Sequence, residues 1–221
     1  MRTVIFDLDG TLADTSGDLI AAANACFRAL GQAAPLDPAA DMATAFRGGR
    51  AMLRLGYGRL GRPWSEADVD AAYPRFLDLY AGAIDRETRL YPGAAAALDR
   101  LGAAGYALGV CTNKPAGLAE TLLTRLGVRD RFGAMIGADT LPVRKPHPAP
   151  YRAAVAGAGG TLARSLLVGD TETDRETARA AGVPCVLVGF GPDGGAVAAL
   201  EPAALLAHYD EIDAVVAGLI G

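Results

Sequence analysis

Apolar residues recur along this chain with two alternating periods. The first run, Val4-Ile5-Phe6, is short, continuous and built from β-branched and aromatic residues. That is the pattern of a strand buried on both faces inside a parallel sheet, and it predicts a strand over 3–6. Behind it Ile20, Ala23, Phe27 and Leu30 fall at helical spacing in an alanine-rich stretch, 16–30, closed by Gly31. Residues 38–84 read as further helical pieces, interrupted at Gly48-Gly49, Gly56-Tyr57-Gly58 and Arg62-Pro63, and nothing between 15 and 86 reads as a strand. After Leu90-Tyr91-Pro92-Gly93 the two periods alternate. Helices are expected over 94–104, 116–126, 148–157 and 173–181, and strands over 106–111, 134–137, 165–168 and 184–188. The tail, 196–219, reads as mostly helical. Alternation of this kind predicts an α/β fold, a doubly wound, Rossmann-like parallel sheet. Residues 1–14 and 87–221 would form its discontinuous core, and 15–86 an inserted helical domain.

In an open sheet of this type ligands sit beyond the carboxyl ends of the strands. The first strand ends in Asp7-Leu8-Asp9-Gly10-Thr11, the second in Thr112-Asn113-Lys114-Pro115, and a later one in Gly169-Asp170-Thr171-Glu172-Thr173-Asp174. A loop before that last strand carries Arg144-Lys145-Pro146-His147-Pro148. Buried unpaired carboxylates are costly, so Asp7 and Asp9 call for compensation, and a divalent cation serves. By composition this edge suits an anion together with Mg²⁺: carboxylates for the cation, lysine and hydroxyl groups for phosphate oxygens. Each piece also has an ordinary structural reading. Asp170 and Thr171-x-x-Asp174 fit a helix cap, Lys114 a loop residue, Asp139 a turn, and His147 the start of a helix.

Composition narrows the field. The formal net charge of −4 disfavours nonspecific binding to nucleic acid or anionic membranes, and no apolar run reaches membrane-spanning length. The three cysteines are widely spaced and read as core residues in a reducing cytoplasm. Positive charge is written almost wholly as arginine. The two lysines, Lys114 and Lys145, therefore mark positions that call for a compact ammonium.

Taken in order, Asp-x-Asp-Gly-Thr, Thr-Asn-Lys-Pro, Lys-Pro-His-Pro and Gly-Asp-Thr-x-x-Asp resemble the haloacid dehalogenase superfamily of phosphohydrolases, from Val4 to about Gly191. The helical insertion resembles that superfamily's C1-type cap. Cys111–Pro115, Arg144–Pro148, Ala180–Pro184 and Leu90–Gly93 look like the phosphoglycolate phosphatases, with Thr171 standing where serine is more usual. The resemblance implies a Mg²⁺-dependent phosphomonoesterase acting on a small phosphorylated metabolite, 2-phosphoglycolate first among them, as a monomer or homodimer. It implies Asp7 as nucleophile, Asp9 as acid and base, and Thr112, Asn113 and Lys145 as phosphate ligands. Asp7, Asp9, Asp170 and Asp174 would serve the metal. Another phosphatase, a pyrophosphatase, a β-phosphoglucomutase or a non-catalytic phosphoryl-binding module shares the pattern. In the cap, Arg50 beside Gly48-Gly49 is the expected partner for a substrate carboxylate, with Arg54 one turn on.

Overall fold

In a computed structural model describing residues 1–221, the chain divides into two compact units, Met1–Asp14 with Leu90–Gly221, and Thr15–Arg89. The elements follow in order β1 (Thr3–Phe6), β2 (Ala13–Asp14), α1 (Ser16–Ala29), α2 (Met42–Ala45), α3 (Gly49–Arg59), α4 (Glu66–Ala81), β3 (Arg89–Leu90), α5 (Ala94–Ala103), β4 (Ala107–Cys111), α6 (Ala116–Arg125), β5 (Ala134–Ile136), α7 (Pro148–Gly157), β6 (Ser165–Gly169), α8 (Glu172–Ala181), β7 (Cys185–Val188), β8 (Ala204–Leu206) and α9 (Ile212–Ile220). β2 and β3 form a separate two-stranded sheet where the chain divides.

The larger unit is a six-stranded sheet in the order β5-β4-β1-β6-β7-β8, parallel throughout. β1 lies between β4 and β6, with Val4 opposite Leu108 on one side and Leu166 on the other. Both of its faces are covered, which is why its side chains are apolar without alternation. Ile5, Leu167 and Leu187 pack with Tyr151, Ala154 and Ala178 of α7 and α8; α5 packs against β4, and α9 against β6 and β8.

The tail differs from its helical expectation. Gly194–Leu200 is a 3₁₀ segment and Ala204–Leu206 is the edge strand β8, so only Ile212–Ile220 is α-helix. Three residues are too few to display a period, and their strand character comes from pairing with β7.

Apart from Arg89 of β3, the regular elements of the smaller unit are helices. α3 runs unbroken through Gly56-Tyr57-Gly58, against the expected interruption. A Cβ at Gly56 would stand 2.2 Å from the Phe27 ring, so glycine there lets α3 approach α1 rather than ending the helix. Gly49 meets Phe76 in the same way, also within this unit. Buried Asp18 accepts from the Glu87 N–H, the Thr88 N–H at 2.9 Å and the Thr88 hydroxyl at 2.8 Å, tying the beginning of the unit to its end. No helix of the chain is long and apolar enough to cross a membrane, and the three cysteines are buried thiols.

Candidate active site

The carboxyl edge of the sheet gathers its charged groups because three central strands stop side by side. The Asp7 N–H still donates to the Val168 carbonyl at 2.9 Å, extending the β1–β6 ladder by one residue. Beyond it Gly10, at φ 78°, makes a turn in a conformation that an L side chain resists. The Asp7 Oδ1 accepts from the Leu8 N–H at 2.7 Å, and Oδ2 lies 2.9 Å from the Lys145 ammonium.

Lys145 joins two parts of the site. Its Nζ also donates to Asp174 Oδ1 at 2.6 Å, and both side chains are buried. Burial alone would push this lysine down, but Asp174 and Asp7 outweigh it and hold the ammonium above the ordinary lysine range. The Asn113 amide donates to the Lys145 carbonyl at 3.1 Å, so that side chain fixes the lysine's loop.

Asp174 has both oxygens engaged. While Oδ1 takes Lys145, Oδ2 accepts from the Thr171 hydroxyl at 2.9 Å and from the Thr171 N–H, closing a capping box at the start of α8. The helix-cap reading and the charged-site reading of this residue therefore hold together. Gly169 makes the packing possible, since a Cβ there would fall 2.3 Å from Asp174 Cβ.

Asp170 is different. Its Oδ1 accepts from the Thr11 hydroxyl at 2.8 Å, whereas its Oδ2 is buried with no hydrogen-bond partner. Burial first, then Asp174 and Asp7, push Asp170 well above the usual carboxylate range. For Asp7, burial raises the value, Lys145 opposes it and Asp174 adds to it, and the result is about 6. Oxygens of Asp7, Asp170 and Asp174 all lie within 4.8 Å of one another. One lysine against three clustered carboxylates, with a buried oxygen left unpaired, is a donor set suited to a hard divalent cation.

Around this cluster stand the remaining polar residues. Thr112, buried at the end of β4, accepts from the Lys114 N–H at 3.2 Å. Lys114 itself is more than a loop residue. Its buried ammonium donates to both oxygens of Asp9, at 2.8 and 2.9 Å. The scarcity of lysine and its place just after β4 marked it in the sequence. His147 caps α7, its Nδ1 accepting from the Ala149 N–H, and Asp139 accepts from the Ala116 N–H at 2.7 Å at the start of α6. In the other unit, Arg50 pairs with Asp70 and lies over the Tyr73 ring at 4.3 Å. Arg54 bonds both oxygens of Glu66 at 2.8 Å.

Comparisons with known proteins agree with this arrangement. A family model described as haloacid dehalogenase-like hydrolase matches residues 4–188. A phosphoglycolate phosphatase of Mesorhizobium japonicum is 38% identical, the match covering 95% of this chain and 92% of the relative. One from Rhodospirillum rubrum is 42% identical over 95% of this chain and 87% of its own length. Among solved structures, a protein of Haemophilus somnus described as a predicted phosphoglycolate phosphatase superposes with a TM-score of 0.85 at 26% identity, covering 97% of each chain. With its α/β core, its carboxylate and lysine cluster and a match running from β1 to β7, the chain belongs to the haloacid dehalogenase-like hydrolase family.

Proposed function

We infer that this protein is a Mg²⁺-dependent phosphomonoesterase that works through an aspartyl-phosphate on Asp7, with 2-phosphoglycolate as its substrate. The observation that carries the reading is the pairing of Asp7 with Lys145 beside an Asp170 oxygen that no protein group satisfies. Mg²⁺ would be held by a carboxylate oxygen of Asp7, the backbone carbonyl of Asp9 and Asp170, with Asp174 in support, and when bound it would neutralise repulsion between these carboxylates and a phosphate dianion.

The chain's own groups supply the rest. Asp7 attacks phosphorus in line, and Lys145 beside it draws an incoming phosphate toward a site otherwise rich in negative charge. Thr112 accepts from Lys114 N–H, which leaves its own hydroxyl proton to donate to a phosphate oxygen. The Asn113 backbone N–H is a second donor at the same strand end. Asp9 gives a proton to the leaving alkoxide and later takes one from the water that releases phosphate. The helical unit, Thr15–Arg89, is the candidate cap.

The test is release of inorganic phosphate from 2-phosphoglycolate by purified protein with Mg²⁺, alongside Asp7→Asn. Asn is nearly isosteric and far less nucleophilic, so the folded variant should keep only a trace of activity. Substantial turnover by folded Asp7→Asn would sink the covalent mechanism.

A further inference from the structure

Desolvation consumes most of the Coulombic gain of a buried ion pair, so such a pair is seldom present for stability alone. This chain nevertheless places both of its lysines in such pairs, and Lys114 reaches across 105 positions of sequence to hold both oxygens of Asp9, at 2.8 and 2.9 Å. The lysine side chain is 3% exposed and the aspartate 18%. A general acid must come within about 2.6–3.2 Å of the oxygen it protonates. An ammonium hydrogen-bonded to that acid is then close to whatever substituent the leaving group carries next to its ester oxygen. In 2-phosphoglycolate that substituent is a carboxylate, one methylene away.

We propose that Lys114 recognises the carboxylate of the leaving group, exchanging one Asp9 oxygen for a carboxylate oxygen of the substrate. The exchange binds the substrate and frees an Asp9 oxygen to face the ester. This rests on the phosphomonoesterase reading above and adds to it the residue that recognises the leaving group, a small α-carboxylated alcohol. Lysine suits the task because a compact ammonium on a flexible stem can move between acceptors, whereas the planar fork of arginine would hold Asp9 in a fixed bidentate pair. Arg50, the other candidate for this contact, is engaged with Asp70 and Tyr73 in its own unit.

Lys114→Met and Lys114→Gln, assayed with 2-phosphoglycolate, ethyl phosphate and p-nitrophenyl phosphate, test the assignment. Loss of the partner of Asp9 lowers kcat on all three, so the split in KM is what discriminates. A charge-assisted hydrogen bond corresponds to about 10–100-fold in binding. KM for 2-phosphoglycolate should rise by that factor, and KM for the other two by less than about threefold. In an Asp9→Asn background, where turnover is suppressed, calorimetric titration reads the same contact without catalysis. Adding Lys114→Met there should weaken 2-phosphoglycolate about 10–100-fold and leave ethyl phosphate unchanged. Equal KM changes on all three substrates, or a selective loss in Arg50→Ala instead, would overturn the proposal and leave the phosphatase reading standing. Wild-type protein that hydrolyses none of the three would overturn that reading, and the proposal with it.

Discussion

Replacing Asp170 by Asn should stabilise the metal-free protein while abolishing its response to Mg²⁺. The Asp170 Oδ1 accepts from Thr11, a bond the Asn oxygen can keep, and the Asn NH₂ would take the place of the unpartnered Oδ2. Asp7 and Asp174 each have a carboxylate oxygen within 4.8 Å of one on Asp170, so the substitution removes a third negative charge from the cluster. At that separation and an effective dielectric near 20, each like-charge pair costs about 3 kcal/mol. Lys145 offsets part of this, and proton uptake by Asp170 relieves more, so a gain of about 1–3 kcal/mol is expected. For a chain of this size that is a rise in Tm of roughly 3–9 °C in EDTA at pH 8.

The pH dependence has a fixed sign. Asp170 sits well above its ordinary value of 3.8 in the folded protein, so the folded state holds the proton more tightly than the unfolded state. Wild-type stability therefore falls as pH rises above the ordinary value, and the loss is complete only above the raised one. The advantage of Asn should vanish near pH 4 and grow as pH rises above it. Saturating Mg²⁺, at 100 times its Kd, adds about 2.7 kcal/mol to a protein that binds it. The order of the two melting temperatures should then close or reverse, because only the wild type gains. A lower Tm for Asp170→Asn in EDTA at pH 8, or an equal Mg²⁺ shift in both proteins, would refute the reasoning.

Three other perturbations follow from the same contacts. Lys145→Met leaves Asp7 and Asp174 without their shared cation and should cost about 3–5 kcal/mol in urea denaturation with EDTA at pH 8; adding Asp174→Asn should recover part of that loss. The same lysine variant should lower kcat by roughly 10²–10³-fold in a phosphate-release assay, as loss of a preorganised donor does. Asp18→Ala strands the buried Thr88 N–H and hydroxyl in the helical unit; it should destabilise that unit by about 2–4 kcal/mol, read as protease sensitivity confined to Thr15–Arg89.

Much of the core was legible in the sequence because its signals are local. A strand buried on both faces must be apolar without alternation, and Val4-Ile5-Phe6 and Leu166-Leu167-Val168 are. The residues that immediately follow such strands are placed at the sheet edge by covalent connection alone. That put Asp7, Thr112 and Asp170 on one side of the molecule before any contact was known. Chain order likewise separated a helical stretch from the alternating elements around it.

Tertiary structure decided what adjacency along the chain cannot. Whether Lys114 or Lys145 meets Asp7 depends on how two loops fold over the sheet edge, and both lysines were equally exceptional in composition. The structure gives Lys145 to Asp7 and Asp174, and Lys114 to Asp9. Gly56 reads as a helix breaker by intrinsic propensity, yet it lies within α3 because close packing against Phe27 outweighs a cost of about 1 kcal/mol. β8 is a strand only because β7 offers it an unpaired edge, a partner that three residues cannot announce by themselves. Residue types and their order along the chain fix which groups reach the site; long-range packing and charge pairing fix which of them touch.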